Sequence, residues 1–171
     1  QRSTVPAIVD VTTGAVVNND YHDLTTELET AWKKYFRPDA PDLYPEALHD
    51  DIDALNDIIY ADVNLAVNLA ALVTSQKDYE FYYNKVFDRL DWLEKRLSSR
   101  RYLFGDTITD PDIRLYVTLA RFDLVFYQKY YVNKKRSWII PIFGIMQRIF
   151  IPIRPLERIR ILTPCASVFI M

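Results

Sequence analysis

The chain has 171 residues, half of them hydrophobic, and a formal net charge of -2. That length holds one domain or two small ones around a proper core, and the near-balanced charge gives no reason to expect nucleic acid or another polyanion. Three glycines are too few for a P-loop or a dinucleotide fingerprint, and the single cysteine, Cys165, permits no internal disulfide, so a reducing, cytoplasmic setting is the default expectation.

The sequence begins at Gln1 with no signal-peptide pattern, which leaves a start within a domain as an expectation. Two short apolar runs follow, V-P-A-I-V at 5–9 and G-A-V-V-N at 14–18, with Gly14 placed for a turn; they predict a β-hairpin. After Asn18, Asn19 and Asp20 the pattern predicts a helix from 21 to about 35, with Leu24, Leu28, Ala31 and Trp32 on one face. Two strands and one helix do not cover both faces of a sheet, so a further piece on the N-terminal side is expected. Residues 36–46, F-R-P-D-A-P-D-L-Y-P-E, hold three prolines and no period and read as a linker.

From 46 to about 73, Leu48, Ile52, Leu55, Ile59, Val63, Val67 and Ala70 step by three or four, a strong helical signal. Asp50, Asp51, Asp53, Asp57 and Asp62 form an acidic outer face, expected to be solvated and closed to nucleic acid. Residues 75–98 predict the next helix, with Tyr79, Tyr82 or Tyr83, Val86, Leu90, Leu93 and Leu97 turned inward. The stretch 103–126 then combines a loop, a cap and a buried helix. Thr109 is the N-cap, Asp112 closes a capping box, Pro111 sits in the first turn, and Ile108 and Ile113 staple the entry. Leu115, Leu119, Phe122 and Phe126 mark one face, and Ile113 and Val117 cover much of the rest, the pattern of a central helix. Short connections and helical period together predict an antiparallel bundle.

Past about residue 137 the composition changes. All twelve tyrosines lie earlier, Glu157 is the only acid, and Ile, Arg and Pro dominate, with prolines at 141, 152, 155 and 164 breaking any long helix. The apolar run 138–146 is shorter than the roughly 20 residues that a bilayer span needs, so no span is expected, and a membrane-surface role for the Ile/Arg tail is the weakest of the readings.

The motifs V-P-A-I-V-D, V-V-N-N-D, A-P-D-L-Y-P-E-A-L, I-D-A-L-N and R-Y-L-F-G-D-x-I-T-D-x-D-I-R-L-Y-V-T-L-x-R-F-D resemble those of the glutathionyl-hydroquinone reductases, the Xi-class relatives of Omega glutathione S-transferases. The resemblance runs from Thr4 to about Lys135. It implies a mostly α fold: an all-helical C-terminal transferase domain preceded by the second half (β-β-α) of a thioredoxin-like domain. The implied organisation is a partial thioredoxin-like domain at 1–36, a linker at 37–46, the helical domain at 47–136 and an atypical tail at 137–171. It also implies glutathione as a substrate, quinol conjugates as the other partner, a homodimer, and no metal or nucleic acid. The family's nucleophile is a cysteine in a C-P-W-A-type motif on the first half of the thioredoxin-like domain, which this sequence does not show. Its thiolate takes the glutathionyl group from a quinol conjugate, and a second glutathione resolves the mixed disulfide.

Carried over position by position, the resemblance implies half of a glutathione site. Val5–Pro6 matches the family's Val–cis-Pro step, which turns the Val5 backbone toward the cysteinyl part of glutathione. Read alone, Pro6 is equally an edge-strand proline. Asp20 and Tyr21 fall where many members have Glu-Ser, at a helix start suited to the γ-glutamyl end; Asp20 is also readable as a plain helix-start acid. In the substrate pocket, Asn68 and Phe126 replace family tyrosines, and Tyr127 lies about 100° further round the helix. His22 and His49 have no ligand-spaced partners and are expected at the surface.

The tail carries a separate expectation. With suitable codons, its nucleotides displaced by two positions can encode L-D-Y-P-N-I-W, which resembles the family's continuation, so residues from about Arg136 onward read as frame-shifted. The coding nucleotides decide this: no D-Y-P in a displaced frame ends the idea. The functional expectation is a glutathione-dependent thiol transferase that reduces glutathionyl-hydroquinones, inactive as this chain alone. The alternative is a non-catalytic helical dimerisation or partner-binding module.

Overall fold

The structure, a computed structural model, describes residues 5–134; the frame-shift expectation and Cys165 lie outside the described residues. β1 (Ile8–Asp10) and β2 (Ala15–Asn18) pair antiparallel, Val9 opposite Val16 and Asp10 opposite Ala15. Their turn forms because the Asp10 carboxylate accepts from the Thr12 N–H (2.8 Å) and the Thr13 hydroxyl (2.9 Å). Gly14 closes it at φ +68°, a backbone that other residues adopt at a cost.

α1 (Tyr21–Thr30) starts where Asp20 accepts the His22 N–H at 2.8 Å, and it ends earlier than the sequence predicts, with a separate 3₁₀ turn at Lys33–Tyr35. Its expected inner face is corrected too. Leu28 and Trp32 are 38% and 47% exposed, as are the hairpin valines Val9, Val16 and Val17 to a similar or greater degree. A two-stranded ribbon is too narrow to cover an apolar helix face, so α1 meets the rest of the chain through His22, Thr25 and Glu29 instead.

The stretch 46–73 forms one helical path in pieces. A 3₁₀ turn (Glu46–Leu48) leads into α2 (His49–Ile59), a π-helical turn (Tyr60–Asn64) and α3 (Ala66–Leu72). At the π turn the Leu65 N–H reaches the Tyr60 carbonyl at 2.8 Å, one residue further back than in an α-helix. Ile52, Leu55, Ile59, Val63, Val67 and Ala70 are all buried, as the period predicts. α4 (Gln76–Leu97) is capped by Ser75, whose hydroxyl accepts the Asp78 N–H at 3.0 Å. α5 (Asp110–Arg121) continues into a second π turn, Phe122–Tyr127. α3 packs along α4, α2 packs along α5, and Val86, Phe87, Leu90, Leu93, Leu115, Leu119 and Phe122 fill the space between them. Each such side chain contributes about 1.5–3 kcal/mol by leaving water.

The Thr109–Asp112 capping box is formed. Asp112, fully buried, accepts from the Thr109 N–H (3.0 Å), the Thr109 hydroxyl (2.9 Å) and the Leu103 N–H (2.9 Å), so it also pins the preceding loop. Burial raises its carboxyl above the usual range, against the pull of those donors. α5 is not apolar all round, however. Val117 is 37% exposed, while Asp110, Arg114 and Thr118, four positions apart, make a buried polar stripe.

That stripe clasps the hairpin–α1 segment to the bundle. Arg114 Nε donates to Asp110 (2.6 Å), its Nη2 donates to the His22 carbonyl (2.9 Å) and to the Thr25 hydroxyl, and Asn56 Nδ2 donates to Asp110 (2.9 Å). The linker is docked as well. The Leu43 carbonyl takes the Asp110 N–H, and the buried Tyr44 hydroxyl donates to Asp53; burial first, then that hydrogen bond, raises the phenol to about 12. Both histidines are partly exposed, and each is engaged: His49 stacks on Tyr44 at 4.0 Å, and His22 Nε2 lies 2.9 Å from Asp57. Asp57, Asp53 and Asp62 are likewise engaged, Asp62 by Lys85 and Arg89. The acidic face is therefore only partly a solvated one.

Glu29 sits in this clasp with Oε2 buried and without a hydrogen-bond partner among the described residues. Burial, then the Asp110 charge, push its carboxyl up to about 8; Arg114 opposes them and Asp42 adds to the rise. A carboxyl raised in the folded state contributes stability that is complete below its ordinary value and is lost as pH climbs through about 8. We expect Glu29→Gln to remove, between pH 6 and 9, a fall of on the order of 2 kcal/mol, an amount discounted for partial solvent screening. Denaturation midpoints of both proteins across that range check it; parallel pH profiles contradict it.

Candidate functional site

Both π turns border one cavity of about 320 Å³. Tyr60, Asn64, Leu65 and Asn68 come from the first turn and α3, Thr118, Arg121, Val125 and Phe126 from α5 and the second turn, with Tyr21 from α1 and Tyr130 closing the ends. An extra residue in a helical turn widens it and re-aims the side chains there, and such turns frequently accompany functional sites. Facing π turns are thus a structural reason for the opening to exist between two otherwise closely packed helices.

The floor is polar and fixed. Asn64 Nδ2 donates to the Arg114 carbonyl (3.0 Å) and to the Thr118 hydroxyl (2.8 Å), and Asn68 Nδ2 donates to the Asn64 carbonyl (2.7 Å). Asn64 Oδ1 is buried without a partner among the described residues. The walls are aromatic. Tyr21 and Tyr60 have ring centroids 6.4 Å apart, Phe126 and Tyr130 6.1 Å, and Phe126 in turn packs on Phe122 at 6.1 Å. Arg121 Nε is tied to the Val117 carbonyl at 3.1 Å.

The cavity brings together Tyr21, Asn68 and Phe126 of the residues expected from sequence. Tyr127 does not line it. The Val5–Pro6 peptide is cis, with Val5 exposed, and both residues stand outside this cavity, as does Asp20, which serves as the cap of α1. Sequence reasoning missed Tyr60, Asn64, Thr118, Arg121 and Tyr130. One signal was present: Asn56, Tyr60, Asn64 and Asn68 recur every four positions, a polar stripe on a helix otherwise split between apolar and acidic faces. The two phenols thought replaced at 68 and 126 have counterparts in the same cavity, Tyr60 two helical turns before Asn68 and Tyr130 one turn after Phe126.

A second cleft of about 430 Å³ lies between α1 and α2, lined by Asp23, Glu27, Asp53 and Asp57 with His22, Asn56 and Arg114. Among the described residues no cluster of three His, Cys, Asp or Glu side chains could hold a metal ion. No helix among them is long and apolar enough to cross a membrane.

Comparison with known proteins agrees with this architecture. Residues 76–146 match the family model "Glutathione S-transferase, C-terminal domain". The chain is 37% identical over 150 residues to glutathionyl-hydroquinone reductase YqjG of Escherichia coli, covering 87% of this chain and 45% of YqjG. It superposes on the glutathione-bound structure of YqjG with a TM-score of 0.81, covering 88% of this chain and 49% of that one. With glutathione transferase Xi 1 from Trametes versicolor the TM-score is 0.82 at 38% identity, covering 88% and 52%. The chain spans about half the length of the curated relatives it matches. With a β-hairpin leading into helices, the transferase C-terminal domain and these likenesses over most of its length, the chain belongs to the glutathionyl-hydroquinone reductase, or Xi-class glutathione transferase, family.

Proposed function

We propose that residues 5–134 provide one half of a glutathione site and the aromatic pocket of a glutathione-dependent thiol transferase acting on glutathionyl-hydroquinones. One observation carries this reading: Tyr21, at the start of α1 where the γ-glutamyl end is expected, shares a cavity with Asn68 and Phe126, where the aromatic end is expected. Val5, Pro6 and Asp20 hold the peptide part, and Tyr60 and Tyr130 offer hydroxyl donors to the quinol oxygens. In the full reaction a thiolate attacks the conjugate's sulfur, the aryl carbon leaves and takes a proton, and a second glutathione thiolate releases the first as disulfide. Residues 5–134 contain no cysteine and Cys165 lies outside the family motifs, so this chain alone is expected to bind without turnover. In this reading 1–36 is part of a thioredoxin-like domain, 37–46 the linker and 47–136 the helical domain, and the protein is a homodimer.

The test is calorimetric titration of the 171-residue chain with glutathione and with S-(2,5-dihydroxyphenyl)glutathione, alongside an assay for glutathione disulfide. The expected result is binding of the aryl conjugate at least tenfold tighter than glutathione and no disulfide release. Absence of binding by both ligands overturns the site reading, and disulfide release overturns the inactivity of the chain. A second reading, a partner-binding or dimerisation module, draws on the exposed Val9, Val16, Val17, Leu28 and Trp32. It predicts concentration-dependent association that Leu28→Asp abolishes, read by sedimentation.

A further inference from the structure

The wall of the cavity between the two π turns is chemically lopsided. Among the described residues Arg121 is its only charged side chain; the remainder are phenols, amides, one threonine and apolar groups. Arg121 stands immediately before the second π turn, at the exposed edge of the cavity. Its Nε is held by the Val117 carbonyl, which roots the guanidinium, and no carboxylate of the described residues pairs with it. A guanidinium in that position is a ready partner for a planar anion, which it grips through two parallel N–H donors. Tyr60 and Tyr130 supply flat apolar faces with hydroxyls at their rims. About 320 Å³ is the lower end of small-molecule cavities and suits one or two fused rings.

We propose that this cavity selects a hydroxylated aromatic that also carries an anionic group, its ring packed among Tyr21, Tyr60, Phe126 and Tyr130 and its anion read by Arg121. The inference uses the pocket of the proposed transferase and narrows its electrophile from quinols in general to acidic ones. The acid-lined cleft between α1 and α2 repels the same ligand, so an anionic aromatic has one favourable cavity of the two.

The probe is 3-hydroxy-2-naphthoate, compared with 2-naphthol, which lacks the carboxylate, in fluorescence titrations of the 171-residue chain without glutathione. The wild type is expected to bind the naphthoate at least tenfold tighter than 2-naphthol. Arg121→Gln is expected to bring the two affinities together without weakening 2-naphthol, and Arg121→Lys to restore part of the preference. The side chain of Arg121 is exposed, so both variants are expected to keep the wild-type circular dichroism. Equal affinities in the wild type, or a preference that survives Arg121→Gln, overturn the proposal. Glutathione takes no part in these titrations: a chain that prefers the naphthoate through Arg121 yet ignores glutathione conjugates keeps this inference and loses the transferase reading.

Discussion

Asp112→Ala is expected to lower the unfolding free energy by on the order of 3–5 kcal/mol, a large share of what a domain of this size ordinarily has. The carboxylate is the shared acceptor of the Thr109 N–H, the Thr109 hydroxyl and the Leu103 N–H, and it is fully buried. Alanine leaves two buried backbone donors unsatisfied, at about 1–3 kcal/mol each, and removes the cap of α5, about 1 kcal/mol more. Thr109→Ala takes away only the cap's hydroxyl and is expected to cost about 1 kcal/mol. Urea denaturation checks both: midpoints fall in that order with unchanged slopes. Equal midpoints for the two variants contradict the account of Asp112 as the pin of the 103–109 loop.

Arg114→Leu is the second large effect. It strands the Asp110 carboxylate, 2% exposed, and removes the donor to the His22 carbonyl and the Thr25 hydroxyl. Breaking a buried pair from one side costs about 3–5 kcal/mol, because the remaining charge is left without a counter-charge. Half of the clasp between the hairpin–α1 segment and the bundle goes with it. Limited proteolysis is therefore expected to cut first within residues 19–36, while the core of α3, α4 and α5 stays protected. Adding Asp110→Asn to Arg114→Leu is expected to recover part of the loss, since the stranded charge is gone while the Asn56 amide keeps an acceptor oxygen. Cleavage rates equal to wild type in the single variant contradict the clasp.

What was legible in the sequence is what is decided locally. The apolar steps Ile52, Leu55, Ile59, Val63, Val67 and Ala70 describe a helix face whatever it packs against, and the Thr109–Asp112 box is complete within four residues. Gly14 in a hairpin turn is equally local. The features that build the cavity are not. A helical period of three or four does not distinguish a continuous α-helix from one with a π turn, so Tyr60–Asn64 and Phe122–Tyr127 were invisible, and with them the aim of Tyr60 and Phe126. Nothing local marks Arg114 and Asp110 as a buried pair, because their partners, Thr25 and Asn56, are far away in sequence. For α1 the apolar pattern pointed at the wrong neighbour: Leu28 and Trp32 form a face that the described hairpin does not cover.

The central claim is that glutathione-side and aromatic-side residues of this chain face one ligand. The most direct measurement is a set of amide proton–nitrogen spectra of the 171-residue chain titrated with S-(2,5-dihydroxyphenyl)glutathione. The account predicts concerted shifts, with one dissociation constant, for the backbone amides of Val5, Asp20 and Tyr21 and the side-chain amides of Asn64 and Asn68. Shifts confined to one of these two groups, or two separate dissociation constants, would contradict it.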